Sequence, residues 1–154
     1  MTPDQLGQHV IKPVLERMHM YSKEAYNLLM GTALHESDGL KRVTQYVGPA
    51  LGYWQMEPNT LFDLHDSYLN FRPERAAMLG NFSIPSMTEE DNLKGNHFFA
   101  CAAARLQYYR QDGAIPLDIV GQAKYWKEHW NTKHGKGTVD EYLNRARENI
   151  DYFI

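Results

Sequence analysis

Apolar residues recur at helical spacing along most of the chain, and the clearest run ends in an acid. Leu28, Leu29, Ala33 and Leu34 fall on one helical face and predict a core-facing helix that stops at Glu36-Ser37. Gly39 follows closely, as at a helix C-terminus, and Ser22 can cap the start. Ahead of it, Thr2-Pro3-Asp4-Gln5 reads as a helix opening, and Leu6, Val10, Val14 and Met18 form a stripe. Pro13 falls inside that stripe and is expected to kink or split the helix.

Further on, Asn59 or Thr60 is expected to cap a helix through LFDLHDSYL, with Leu61, Phe62, Leu64 and Leu69 on its apolar side. Arg72-Pro73-Glu74 breaks it and begins a short helix, ERAAML, closed by Gly80. Thr88 opens what reads as the longest helix, to about Gln111, with acids in its first turn and FFACAAARL as a central buried segment. Pro116 is expected to start the next helix, LDIVGQAKYWKEHW, and Thr138-Val139-Asp140-Glu141 reads as a capping box for the last. No segment sustains strand alternation. The expected fold is mostly α, a single domain over residues 1–154, with at most a small β-hairpin between Val43 and Trp54.

Composition narrows the partners. Hydrophobic residues are 43% and charged residues 23%, a globular balance, and a net charge of −3 argues against a nucleic-acid partner. The single cysteine, Cys101, excludes an internal disulfide and reads as a small buried hydrophobe. The polar N-terminus is no signal peptide, and no run is long enough for a membrane span. Synthesis in the cytosol is therefore expected. Seven histidines occur without HExxH or a close His/Cys cluster, so no metal is expected. Gly135-Lys136-Gly137 lacks the context of a phosphate loop, and nothing calls for a cofactor.

The chemistry gathers around Glu36. After it comes a turn-rich return through Gly48, Pro49 and Gly52, then Tyr53, Trp54, Gln55 and Met56. An acid beside aromatic surface and an amide is what glycosidic cleavage needs. Glu36-Ser37 followed by Gly52-Tyr53-Trp54-Gln55 resembles the lysozyme-like superfamily, in particular soluble lytic transglycosylases and goose-type lysozymes. Their signature is Glu-Ser, a Gly-Leu-Met-Gln-like segment, and a later Tyr-Asn. The chain is also similar to short bacteriophage proteins carrying this domain, in which segments like ALGYWQMEP and YWKEHWNTKHGKGT occur in the same order.

The resemblance implies a peptidoglycan-degrading enzyme that cleaves glycan strands between N-acetylmuramic acid and N-acetylglucosamine. It implies that Glu36 acts first as acid and then as base, that Gln55 lines the cleft, and that Ser37 positions the acid and contacts the sugar. Tyr53 and Trp54 are expected to stack on sugar, and the hairpin to edge the cleft. Release through a phage holin, or delivery with other virion proteins, would bring such an enzyme to the wall. The third motif departs from the pattern: the family has Ala-Tyr-Asn where this chain has AKYWKEHWNT. Tyr125 and Trp130-Asn131 both compete for the Tyr-Asn place. If Trp130 holds it, the phenol that bonds the glutamate is missing there, and Tyr125 is left to supply it from one turn earlier.

Other readings stay open on sequence. Asp38, Glu57, Asp63 or Asp66 can activate water as the second acid of a hydrolytic lysozyme, although Asp63 and Asp66 suit a solvated helix face. Lys41, Arg42, Gln45 and Tyr46 could grip a saccharide or a peptide stem, with Lys41 and Arg42 read first as solvated. A non-catalytic virion or wall-binding protein of the same fold is the non-enzymatic alternative. A peptidase lacks a nucleophile–base pattern, since Cys101 sits in an apolar helix.

Overall fold

Thr2 opens the first helix as its neighbours dictate. Its hydroxyl accepts the Gln5 N–H at 3.2 Å, while the Gln5 side chain accepts the Thr2 N–H at 3.2 Å. The computed structural model describes all residues from Met1 to Ile154, and it is mostly helical. Helix α1 (Pro3–Leu6) passes through a π-helical turn, Gly7–Ile11, into α2 (Lys12–Arg17). Pro13 does not split this helix. The π turn just before it carries the Lys12 N–H to the Gly7 carbonyl and makes room where a proline ring would meet the backbone one turn back. Leu6, Val10, Val14 and Met18 are all buried, as the stripe predicts.

Helix α3 (Lys23–Glu36) is the axis of the molecule. The Ser22 hydroxyl caps it by accepting the Ala25 N–H at 3.1 Å. Every residue from Ala25 to Leu34 is buried, so the helix is enclosed all round rather than along one stripe. Helices α7 (His97–Tyr109), α8 (Ile119–Trp126) and α9 (Val139–Glu148) pack against it. Gly31 permits the α9 contact: a Cβ there would collide with the Tyr142 hydroxyl. The buried side chains form one contiguous cluster of 37 residues, as expected of a single domain.

Four expectations need correction. The span from Thr88 to Gln111 is not one helix but α6 (Glu89–Gly95) followed by α7, which leaves α3, at 14 residues, as the longest. Asn96 makes the break. It leaves helical geometry, caps the Phe99 N–H at 3.2 Å, and donates to the Phe82 carbonyl at 2.7 Å and to Asn92 at 2.9 Å. Helix α4 (Pro58–Ser67) starts at Pro58 with no side-chain cap, so Asn59 and Thr60 already lie in its first turn. Its apolar face is narrower than expected: Leu61, Leu64 and Leu69 are buried but Phe62 is 68% exposed. Helix α8 begins at Ile119, where the Asp118 carboxylate accepts the Gly121 N–H at 3.1 Å, and Pro116 lies outside it.

Short helix α5 (Pro73–Gly80) follows the Pro73 break as expected. Helix α8 runs on through a second π-helical turn, Lys127–Asn131, and Thr138 caps α9 through the Glu141 N–H at 3.1 Å. The expected hairpin is reduced to two isolated antiparallel bridges, Thr44 with Leu51 and Leu51 with Met56. Gly52 joins them with a left-handed φ of +79°, and its missing Cβ leaves room for the Leu93 carbonyl. No helix is long and apolar enough to cross a membrane.

Candidate functional site

Glu36 is the last residue of α3, delivered by the buried run Ala25–Leu34 to the edge of a cavity of about 530 Å³. Its side chain keeps 18% exposure. The Trp126 indole N–H donates to Oε2 at 3.2 Å, and the His35 Nε2 lies 3.9 Å from the same oxygen. Arg42 returns from the following loop, donates to the Glu36 main-chain carbonyl at 3.2 Å and stacks over Tyr46 at 4.4 Å.

These surroundings favour the neutral acid. Burial pushes the Glu36 carboxyl up to about 7, and the Trp126 hydrogen bond and the Arg42 charge offset that rise only in part. Burial also holds the His35 imidazole below its ordinary value, so it brings no positive charge to the carboxyl at neutral pH. Near pH 7 Glu36 therefore populates both protonation states, which suits a group that must give and then take a proton.

Ser37 has a different task from the one expected. Its hydroxyl is fully buried, donates to the Ala33 carbonyl at 2.6 Å and accepts the Leu40 N–H at 2.8 Å. With both capacities used, it closes α3 and does not line the cavity. The chain then turns through Asp38, Gly39 and Leu40, all with left-handed φ.

Gln55 and Asn131 do line the cavity with Glu36. Gln55 has a φ of +51° and donates to the Gly52 carbonyl at 2.8 Å, while its own side-chain oxygen accepts no protein hydrogen bond. Asn131 is oriented by Lys127, whose ammonium donates to Asn131 Oδ1 at 2.6 Å and to the Gly135 and Gly137 carbonyls at 3.1 and 2.7 Å. These bonds use all three donors and fix the loop whose Thr132, His134 and Gly135 wall the cavity. Trp130 lines it as well, resting on Tyr108 at 5.1 Å.

Tyr53, Trp54 and Tyr125, expected to meet a sugar, do not line the Glu36 cavity. Tyr53 is 7% exposed and stacks on His97 at 4.7 Å. Trp54 is 1% exposed, and its indole donates to the Leu29 carbonyl at 3.0 Å. The tight turn at Gly52 aims both rings into the core. Tyr125 points to the Gly113 carbonyl, at 3.5 Å, and lines a separate recess with Tyr108 and Arg105. The donor to Glu36 is its neighbour Trp126, which the sequence reading passed over. The spacing held a signal: Ala123 and Trp126 are apolar and three apart, on one side of α8, and both are wholly buried in the fold.

Arg42, read first as a solvated loop residue, is half-buried and bonded to the Glu36 carbonyl. Among the rival acids, only Glu57 shares the cavity. Asp38 is bonded to Arg145 at 2.7 Å, which holds its carboxyl below the usual range, and Asp63 pairs with Arg110 at 2.8 Å. No three His, Cys, Asp or Glu side chains converge as a metal site would require. Cys101 is fully buried, and desolvation pushes its thiol upward, away from thiolate chemistry. Compared with family models, curated proteins and solved structures, the chain gives no match.

Proposed function

We propose that the protein cleaves peptidoglycan glycan strands between N-acetylmuramic acid and N-acetylglucosamine, with Glu36 as acid and base. The observation that carries this reading is the environment of Glu36: a buried carboxyl at the edge of a saccharide-sized cavity, pushed up to about 7 by burial and held by an indole N–H. Protonated Glu36 gives its proton to the glycosidic oxygen as the bond from that oxygen to the muramic acid C1 breaks. The 6-hydroxyl of the same muramic acid then attacks C1, and the Glu36 carboxylate takes the proton that hydroxyl loses. The products are a free 4-hydroxyl and a 1,6-anhydro end. Because the nucleophile is tethered to the reacting carbon, its effective concentration is high. Gln55, with its unpaired side-chain oxygen, and Asn131, anchored by Lys127, hold the sugars across the cavity. The protein would serve as a phage lytic protein, reaching the wall after holin-type release or within a virion.

One observation favours a second reading. Glu57 lines the same cavity and can activate water instead, which would make the reaction hydrolytic. The role of Glu36 is tested by Glu36→Gln. The folded variant should lose roughly 10²–10⁴-fold in wall-clearing rate. Clearing at the wild-type rate would remove Glu36 from the chemistry.

A further inference from the structure

A second hollow, of about 560 Å³, opens beside the first, and Arg42 lines both. His35 forms part of its wall, and α9 supplies the opposite side through Glu141, Asn144, Arg145 and Glu148, which share one helical face. Its charges are arranged asymmetrically. Arg145 is neutralised by Asp38 at 2.7 Å. Arg42 has no carboxylate partner: its contacts are the Glu36 carbonyl, at 3.2 Å, and the Tyr46 ring, and its buried Nε–H has no acceptor. Glu141 and Glu148 are likewise not ion-paired. The hollow thus holds one unpaired cation, Arg42, which also borders the Glu36 cavity, and two unpaired carboxylates carried by α9.

The geometry points to a site for a zwitterionic peptide: the peptide stem borne by the muramic acid whose bond is cleaved. This rests on the glycan-cleaving reading above. A muramic acid seated against Glu36 carries its stem from the lactyl group, and a hollow sharing Arg42 with the sugar cavity is the adjacent place to receive it. Stem carboxylates meet Arg42, and the side-chain ammonium of a diamino acid meets Glu141 and Glu148. A glycan stripped of its stems keeps only the lactyl carboxylate for Arg42 and no ammonium for Glu141 and Glu148, so the hollow gives preference for strands that still carry their stems.

The test uses the full chain and its Glu141→Gln/Glu148→Gln double variant. Both side chains lie on the exposed face of α9, and glutamine preserves the acceptor that Glu141 offers Thr138. Rates are compared on glycan strands with stems and on strands stripped of them by an amidase. Wild type should prefer stem-bearing strands. The double variant should lose roughly tenfold in kcat/KM on them, the range for two partly exposed charge contacts, and retain its rate on stripped strands. Equal rates for the two proteins on stem-bearing strands would overturn the peptide site and leave the glycan reading standing. Failure of the wild type on both strands would instead overturn the glycan reading. A free tripeptide containing a diamino acid, titrated at millimolar concentration, then decides the hollow alone. Amide NMR shifts confined to α9 and the Arg42 loop, absent in the double variant, would support it, and no shifts would overturn it.

Discussion

Glu36→Gln should make the protein more stable than the wild type at neutral and alkaline pH. The carboxyl stands near 7 in the fold against 4.5 for the free side chain, because burial disfavours its charged form. A group raised in this way contributes stability that is complete below its unfolded pKa and lost as the pH rises through its folded pKa. For Glu36 the loss runs from pH 4.5 to about 7. At about 1.4 kcal/mol per pH unit, it reaches about 3 kcal/mol on the alkaline side. Glutamine cannot ionise and keeps an acceptor for the Trp126 indole, so the variant escapes the loss. In a domain of this size each kcal/mol moves Tm by roughly 2–4 °C, so the variant should melt about 6–12 °C higher at about pH 8 and level with the wild type at about pH 4. Paired thermal melts followed by circular dichroism measure this, and the other titrating groups largely cancel in the difference. Equal melting at about pH 8, or a gap that widens toward acid, would refute the buried, neutral acid.

Three other changes separate the roles assigned above. Trp126→Phe removes the indole N–H that favours the Glu36 anion, so the alkaline limb of the pH–rate profile should move up by about half to one pH unit; an unmoved or lowered limb would contradict the hydrogen bond at 3.2 Å. Lys127→Met frees the loop carrying Thr132, His134 and Gly135, so KM should rise several-fold with kcat little changed; a collapse of kcat alone would place Lys127 in the chemistry instead. Trp54→Phe removes the indole donor that the Leu29 carbonyl accepts beside its helical partner and should cost about 0.5–1.5 kcal/mol in denaturant unfolding, with kcat/KM unchanged; a tenfold loss of substrate affinity in the folded variant would show that Trp54 meets the sugar after all.

What could be read in the sequence was what local chemistry determines. The caps at Thr2, Ser22 and Thr138 form with the partners their spacing specifies, because each bond closes within one turn. Glu36 was visible because a long apolar run ends on it. The direction of single side chains was not. Tyr125 and Trp126 are neighbours, yet one step along a helix turns a side chain through about 100°, which separates the recess beside Gly113 from the donor to Glu36. Tyr53 and Trp54 lie in a segment with only isolated bridges, too short for an alternation that would mark its inner face. The division at Asn96 depends on the Phe82 carbonyl, 14 residues away in sequence, and so could not be found from helix propensity.

The central claim, that Glu36 alone moves the protons while the muramic acid supplies the nucleophile, is tested most directly by product mass. Purified wall glycan is digested with the wild type and with Glu36→Gln in ¹⁸O-labelled water, and the fragments are weighed by mass spectrometry. The account predicts wild-type products that end in 1,6-anhydro sugars, lighter than hydrolysed ones by one water and free of the label, and no products from the variant. Labelled reducing ends would contradict it and make Glu57 the residue to replace next.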